Sequence, residues 1–181
     1  RSVPQVLKEL EELRERYEVT SIVFSDDLFL CNKEYVRKFC EQYKRRFDMP
    51  FEVNSRPEAV DIEILRVLKD AGCKTISIGV ESGDERIRKE VLRRIYSNYV
   101  VRNAFKTAKE VGLKTKAYNM IGLPGEGRKE IQETFELNKV LDADRKYCKI
   151  LQPYPGTDIY KMVVERNLLR GNLYKIIAMD D

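Results

Sequence analysis

Short apolar runs alternate with helical patterns of apolar residues along this chain. The runs have the length of β-strands, and the segments between them repeat apolar residues every three or four positions, as amphipathic helices do. Strict alternation of strands and helices predicts a parallel sheet with right-handed crossovers. The predicted strands contain the apolar runs 22–24, 51–53, 76–78, 120–121 and 150–151.

Capping signals set the ends of the predicted helices. Ser2 and Gln5 form a capping-box pattern, and Asn32, Asp61 and Ser97 each precede an apolar-periodic segment as N-caps. We expect one domain over 1–181 and leave 171–181 as a tail without an assigned structure. The predicted helices cover about 3–17, 33–47, 62–71, 84–93, 98–111, 129–141 and 158–166.

A polar or glycine-rich segment follows each predicted strand. The carboxyl ends of parallel strands share one face of the sheet, and ligands bind at that face in α/β proteins. We therefore expect the five segments to form one site. They are 25–27, 54–56, 79–83, 122–126 and 153–157.

The amino-acid composition excludes several classes of function. The chain of 181 residues has no histidine, which excludes Ser-His-Asp and Cys-His catalysis from its own residues. It has no apolar stretch near the roughly 18 residues of a membrane span and no signal peptide, so we expect a cytoplasmic protein. The balance of 34 basic to 30 acidic residues does not itself indicate nucleic acid, which stays open as a partner.

Four cysteines are spaced too widely for a metal-cluster motif. No pair forms C-x-x-C, so we predict buried free thiols in a reducing compartment. Only Cys31, which lies beside the first polar segment, is kept as a candidate for chemistry. The four are Cys31, Cys40, Cys73 and Cys148.

The residue types at the strand ends allow more than one chemistry. Adjacent Asp26 and Asp27 suit Mg²⁺, an ammonium group or a solvated turn. The Glu81 carboxylate could accept ribose hydroxyls or an ammonium group, whereas Ser82 is also a candidate N-cap. The turn 122–126 either lets backbone approach a flat ligand or is an ordinary strand–helix turn.

Two further features are predicted to be mainly structural. Tyr154 could offer an aromatic face to a ligand, but packing is the favoured interpretation. The basic run at 86–94 is predicted to be a mostly solvated helix face, with one arginine available to bind a carboxylate. The chain contains no P-loop or dinucleotide-binding glycine pattern, so a phosphate cradle is excluded.

The order and spacing of these segments resemble the radical SAM superfamily over 2–168. The pairing of 26–29 with the last segment is most similar to the branch whose members often carry an upstream cobalamin-binding domain. Methylthiotransferases and elongator-type tRNA-modifying enzymes are neighbouring possibilities. The segments that carry the resemblance are 80–83, 92–94, 122–126 and 153–157, with Thr134.

This resemblance implies a partial (β/α)6 TIM-like barrel of parallel strands, with the first strand and its cluster loop absent from this chain. It implies a [4Fe–4S] cluster, whose C-x-x-x-C-x-x-C ligands are expected upstream of Arg1, and S-adenosylmethionine cleaved to a 5′-deoxyadenosyl radical that abstracts hydrogen from substrate. It also implies an electron donor such as a flavodoxin or ferredoxin, and cobalamin in an upstream domain of some relatives. The chain alone is then expected to be inactive. The alternative is a non-catalytic βα-barrel binding module that retains the groove.

The resemblance also implies roles for particular residues. Asp26 and Asp27 would receive the methionyl ammonium, and Arg94 would bind the carboxylate. Glu81 and Ser82 would lie in the region that binds the ribose and methionine. Residues 121–126 would form the turn behind the adenine. No residue is assigned as catalytic or as a metal ligand. The cofactor-binding candidates are Asp26, Asp27, Asn54, Arg56, Glu81, Ser82, Arg94, Ile121, Gly122, Pro124, Gly125 and Glu126.

Overall fold

Five parallel strands form one sheet in the computed structural model, which describes residues 1–168. Their order in the sheet follows the chain, β1-β2-β3-β4-β5, and the sheet curls into a half-barrel. The predicted partial (β/α) barrel is therefore confirmed, whereas the tail 171–181 lies outside the described residues. The strands are β1 (Ile22–Val23), β2 (Phe51–Ser55), β3 (Cys73–Glu81), β4 (Lys114–Ile121) and β5 (Arg145–Ile150).

The helices begin at the caps that the sequence predicted. Asn32 accepts a hydrogen bond from the Tyr35 backbone N–H at 3.0 Å, and Asp61 and Ser97 cap their helices in the same way. None of the described helices is long and apolar enough to cross a membrane. The helices are α1 (Val3–Arg16), α2 (Lys33–Arg46), α3 (Ile62–Asp70), α4 (Glu85–Glu90), α5 (Asn98–Glu110), α6 (Arg128–Val140) and α7 (Asp158–Glu165), with 3₁₀ turns at Phe29–Cys31 and Pro57–Ala59.

The outer face of the sheet carries the hydrophobic core. Alternate residues of β2 and β3 point towards the helices, so Phe51, Val53, Ile76 and Ile78 are fully buried. Phe51 sits in an aromatic cluster, with ring centroids 4.9 Å from Tyr43 and 5.7 Å from Phe24. This cluster packs α2 against β2 and the residue that follows β1.

The inner, concave face of the sheet is polar. Asn54 pairs in register with Ser77, and Ser77 with Lys116 on β4. Lys116 forms an ion pair with Glu52 across this face. The inner face therefore offers hydrogen-bonding groups where the interior of a closed barrel is usually filled with branched apolar side chains.

Two predictions about burial are wrong. Cys40 and Cys73 are buried, and burial raises the pKa of each thiol to about 12, but Cys31 and Cys148 are exposed. Cys148 lies on the edge strand β5 and lines a cavity that also reaches α6. Tyr154 is 61% exposed and so does not pack as predicted. Arg88 is fully buried and is the exception within the basic run, which was predicted to be mostly solvated.

Replacing Phe51 should show how strongly the aromatic cluster holds the fold. We expect Phe51→Ala to lower the free energy of unfolding by about 3–5 kcal/mol, because it removes a buried ring and leaves a cavity between β2 and α2. Urea denaturation followed by circular dichroism measures the change. Phe135→Ala is the matched control, since Phe135 is 55% exposed and its loss should cost about 1 kcal/mol or less. Equal costs for the two variants would contradict this assignment of the core.

Candidate functional site

A groove of about 430 Å³ lies on the concave face near the carboxyl ends of β2, β3 and β4. Five of the predicted site residues meet there, although they are far apart in the sequence. The parallel register brings four of them together, because each lies at or just after the end of a neighbouring strand, and the turn after α4 adds Arg94. The groove is lined by Asp27, Asn54, Ser55, Arg56, Ser77, Gly79, Glu81, Arg94 and Tyr118.

An ion pair between Glu81 and Arg94 forms one wall of the groove. The Glu81 Oε1 and Arg94 Nη2 atoms are 3.5 Å apart, and the two side chains are 15% and 24% exposed. Glu81 ends β3 with a φ of +70°, where the register with β4 shifts. Burial raises the pKa of the Glu81 carboxyl, and the Arg94 and Arg56 guanidinium groups oppose that rise. The pair therefore keeps a partly desolvated carboxylate beside a cation at the strand end.

The opposite wall comes from β2 and the loop after β1. The Asn54 side chain donates a hydrogen bond to the Phe24 carbonyl at 3.3 Å, which joins the end of β2 to that loop. Asp27 on the loop is exposed, and its charge contributes to the raised pKa of Glu81. Arg56 follows β2, with a guanidinium nitrogen 4.0 Å from Glu58. The groove thus contains two carboxylates and two guanidinium groups, a set that suits a ligand with both signs of charge.

Ser82, which was predicted as a cofactor-binding residue, does not line the groove. The residue is fully buried, and its hydroxyl lies 3.4 Å from the Thr134 hydroxyl. The Thr134 hydroxyl also accepts a hydrogen bond from the Gly83 backbone N–H at 2.7 Å. Asp84, rather than Ser82, caps α4 by accepting from Ile87 N. This segment anchors the end of β3 to α6.

Glu126 stabilises the turn after β4 by hydrogen bonds to the backbone of that turn. One carboxylate oxygen of Glu126 accepts hydrogen bonds from the backbone N–H groups of Gly122 at 2.6 Å and Leu123 at 3.1 Å. Gly122 and Gly125 have φ angles of +81° and +84°, which favour glycine. Burial raises the pKa of the Glu126 carboxyl, and these two hydrogen bonds counteract that rise. The carboxylate therefore has a structural role in the turn.

The remaining predicted residues are not brought into the groove. Pro124 is buried within the turn, which packs against α4 and α7 near Gly125. Ile121 lines a separate cavity of about 200 Å³ between β4, β5 and α6. Asp26 lines a cavity of about 570 Å³ beside α1 and β1. The structure therefore separates the neighbouring carboxylates of Asp26 and Asp27 into two different cavities.

Sequence reasoning missed Ser77 and Tyr118 as groove residues. Both lie inside strands, before the polar segments at the strand ends from which the site was predicted. The signal was the alternation along β4, in which Lys116 and Tyr118 share one face. Tyr118 stacks on Tyr147 of β5 with ring centroids 5.0 Å apart.

The described residues do not fit an iron–sulfur cluster. Within 1–168 there is no group of three or more His, Cys, Asp or Glu side chains that could hold a metal ion. Cys40 and Cys73 are buried in the core, and Cys31 and Cys148 are exposed on different elements. The fit to an organic zwitterion is better, because the groove offers both carboxylates and guanidinium groups.

Comparison with known proteins gives a consistent result. The family model described as the Radical SAM superfamily matches residues 1–137. An uncharacterized methyltransferase of Pyrococcus horikoshii is 32% identical over 169 residues, which cover 93% of this chain and 37% of that protein. The heme chaperone HemW of Bacillus subtilis is 27% identical, over 71% of this chain and 37% of its own length. The chain thus spans little more than a third of these curated relatives.

Solved structures share the fold at low sequence identity. The methyltransferase TsrM of Kitasatospora setae, solved with tryptophan substrate and a SAM analogue bound, superposes with a TM-score of 0.80 at 19% identity. The match covers 92% of this chain and 33% of TsrM. The cobalamin-dependent enzyme OxsB gives a TM-score of 0.66 at 19% identity, over 92% of this chain and 26% of OxsB. At such identities these likenesses establish the fold alone.

Replacing Gly83 should disturb the anchor at the end of β3. A Cβ atom there would lie 2.3 Å from the Glu133 carbonyl oxygen, which is backbone and cannot easily yield. We expect Gly83→Ala to lower the free energy of unfolding by about 1–3 kcal/mol, as measured by urea denaturation. Gly127→Ala is the control, because its Cβ would meet only the flexible Glu130 side chain, at 3.2 Å. Its cost, as the N-cap of α6, should be about 1 kcal/mol or less.

The raised pKa of Glu81 predicts a pH-dependent stability. The folded state holds this proton more tightly than the unfolded state, whose carboxyl titrates near the ordinary value of 4.5. The stability from the protonated carboxyl is complete below that value and is lost as pH rises through the raised pKa. Glu81→Gln lacks this loss, so its unfolding free energy relative to wild type should increase from about pH 4 to about pH 7.

Urea denaturation at several pH values between these limits measures the effect. Glu90→Gln on α4 is the control, because that side chain is 61% exposed and its difference from wild type should stay flat. A relative stability of Glu81→Gln that falls with increasing pH would show that Arg94 and Arg56 outweigh burial.

Proposed function

Because this chain belongs to the radical SAM superfamily, we propose that it forms the S-adenosylmethionine groove of an enzyme that cleaves this cofactor reductively. The cleavage yields a 5′-deoxyadenosyl radical for hydrogen abstraction from a substrate. The observation that carries the proposal is the convergence of Asp27, Arg56, Glu81 and Arg94 in one groove at the strand ends. Methyl transfer and oxidoreduction are both open outcomes, since the relatives include an uncharacterized methyltransferase and an anaerobic magnesium-protoporphyrin IX monomethyl ester cyclase.

The charges in the groove match the charges of S-adenosylmethionine. Its methionine end carries an ammonium group, which Asp27 would bind, and a carboxylate, which the Arg94 guanidinium can hold in a bidentate manner. The ribose offers two hydroxyls as hydrogen-bond donors, for which the ionised Glu81 carboxylate is a suitable acceptor. Arg56 and Asn54 would complete the polar wall. The role of these residues is to bind and orient the cofactor and to exclude water.

The ring of Tyr118 gives the groove an apolar surface. It lies on the floor beside Gly79, where no side chain blocks the approach of a ligand. We assign no direct contact to the hydroxyl of Ser82, which is buried beside the Thr134 hydroxyl, or to the Oε2 atom of Glu126, which accepts hydrogen bonds from the turn after β4. Both residues instead hold their strand ends in shape.

The proposed reaction requires parts that the described residues do not contain. A [4Fe–4S] cluster would supply the electron and chelate the methionine end, so its ligands must come from outside residues 1–168. We therefore expect this chain alone to be inactive. An electron donor such as a flavodoxin or ferredoxin is a further part of the proposal, as is cobalamin in another domain, since TsrM and OxsB were solved with cobalamin bound.

A second function is favoured by one specific observation. The groove is assembled without any cluster ligand among the described residues, so it could serve a βα-barrel binding module that does no radical chemistry. Such a module would bind its ligand through the groove alone. The two functions differ in whether cofactor cleavage accompanies binding.

The deciding experiment uses the protein encoded by the whole natural reading frame, reconstituted anaerobically with iron and sulfide. With dithionite as reductant, we expect 5′-deoxyadenosine to form, as measured by liquid chromatography. Glu81→Gln should raise the KM for S-adenosylmethionine about tenfold, because it removes a charged partner of the cofactor and of Arg94. The control Glu90→Gln replaces an exposed carboxylate and should leave KM unchanged.

The outcomes separate the two functions. A reconstituted protein that binds S-adenosylmethionine but forms no 5′-deoxyadenosine would support the binding module and overturn the radical enzyme. For the 181-residue chain we expect binding weaker than calorimetry detects, because cluster chelation is missing. Tight binding by that chain would show that the groove suffices by itself. If neither protein binds the cofactor, both functions are wrong.

A further inference from the structure

Arg88 is a fully buried cation beside the groove, and none of the comparisons assigns it a role. Its side chain is 0% exposed, on a short helix whose other basic residues face solvent. The carboxylate within ion-pair range belongs to Glu85, 3.9 Å away and 53% exposed. Burying a cation without a close carboxylate is costly, so its hydrogen bonds must offset that cost. Their targets indicate what the residue does.

The guanidinium group binds both chain segments that form the Glu81–Arg94 wall. On one side, Nη1 donates to the carbonyl of Ser82, the residue after Glu81, at 2.6 Å. On the other side, Nη2 donates to the carbonyl of Tyr96, two residues after Arg94, at 3.2 Å. The same nitrogen donates to the Asn98 side chain at 2.7 Å.

Tyr96 connects Arg88 to the floor of the groove. The Arg88 guanidinium lies over its ring, 5.0 Å from the centroid, which adds a cation–π attraction in a desolvated position. The Tyr96 hydroxyl donates to the Gly79 carbonyl at 3.0 Å, on the floor of the groove. The Arg94 backbone N–H donates to the Arg88 carbonyl at 2.9 Å. Glu81 thus lies one residue before a carbonyl that Arg88 binds. Arg94 lies two residues before another such carbonyl, and its own N–H group binds the Arg88 carbonyl.

We propose that Arg88 is a positioning residue, which together with Tyr96 holds Glu81 and Arg94 at the separation that the cofactor groove requires. Glu81 needs such support, because its left-handed backbone conformation (φ +70°) is strained for a residue with a side chain. Several donors in one planar group can bind carbonyls from two segments at once, which lysine cannot do with the same geometry. The placement of the pair is read directly from this structure, whereas its use for S-adenosylmethionine rests on the proposed function.

The first test needs no ligand and uses amide hydrogen exchange on the 181-residue chain. The local probes are the N–H groups of Ser82, Gly83 and Arg94, which bond to Val80, Thr134 and Arg88. Arg88→Met should accelerate their exchange roughly tenfold or more, because it removes hydrogen bonds from a charged donor. The N–H groups of Phe47 and Leu113, in distant helix caps, should keep their protection.

Each variant has a matched control on the same segment. Arg93→Met removes an arginine that is 76% exposed, and Tyr99→Phe removes the hydroxyl of a tyrosine that is 76% exposed. Both controls should leave the local probes unchanged. If Arg88→Met does not fold, Tyr96→Phe decides, since it removes only the bond to Gly79 and should accelerate the local probes roughly threefold to tenfold. Equal acceleration at every amide, or none at the local probes, would overturn the positioning role.

The second test joins Arg88 to the cofactor in the reconstituted full-length protein. Arg88→Met should weaken S-adenosylmethionine binding about tenfold in the wild-type background but only about threefold when Glu81→Gln is already present, because the placement of Arg94 is then the one contribution left to lose. A residue that merely stabilises the fold would weaken binding equally in both backgrounds. Local exchange effects without any change in cofactor binding would leave the positioning of the pair intact and count against the proposed function.

Discussion

The parallel register of β2, β3 and β4 is the constraint on which the site depends. It sets Asn54 opposite Ser77 and Gly79 opposite Tyr118, so that one row of polar residues crosses the concave face. Because all strands point the same way, the loops that follow them meet at one edge. A shift of any strand by one residue would turn these groups towards the helices and put core residues into the groove. The packing of the outer face therefore also fixes the composition of the site.

The outer face of the sheet stabilises the fold, whereas the inner face carries the proposed binding groove. The outer face is held by buried apolar side chains, of which the aromatic cluster around Phe51 is the densest part. The inner face carries charged side chains, and burial there raises the pKa of the Glu81 carboxyl. The backbone at Glu81 is also strained. Groups that are unfavourable in the fold yet held by several hydrogen bonds are typical of binding sites.

Arg88 shows how the fold supports such a site. The run 86–94 is rich in basic residues, but these residues have different environments. Arg94 faces the groove, Arg93 pairs with Asp158 at the surface, and Arg88 lies under both segments of the wall. The short length of α4 and the turn after it, where Arg93 has a φ of +53°, direct these side chains to different places. Periodicity alone could not separate them.

The sequence by itself determined the alternation of elements, the helix caps and the strand ends that carry polar residues, because these follow from local periodicity and local hydrogen bonds. It also indicated the family, through the spacing of those segments. Only the tertiary structure decided that Asp27 enters the groove while Asp26 does not, that Ser82 and Glu126 bond within the protein, and that Tyr118 lines the floor. Those outcomes depend on strand pairing, the curl of the sheet and side-chain direction, which join residues far apart in the chain and are not encoded in any short segment.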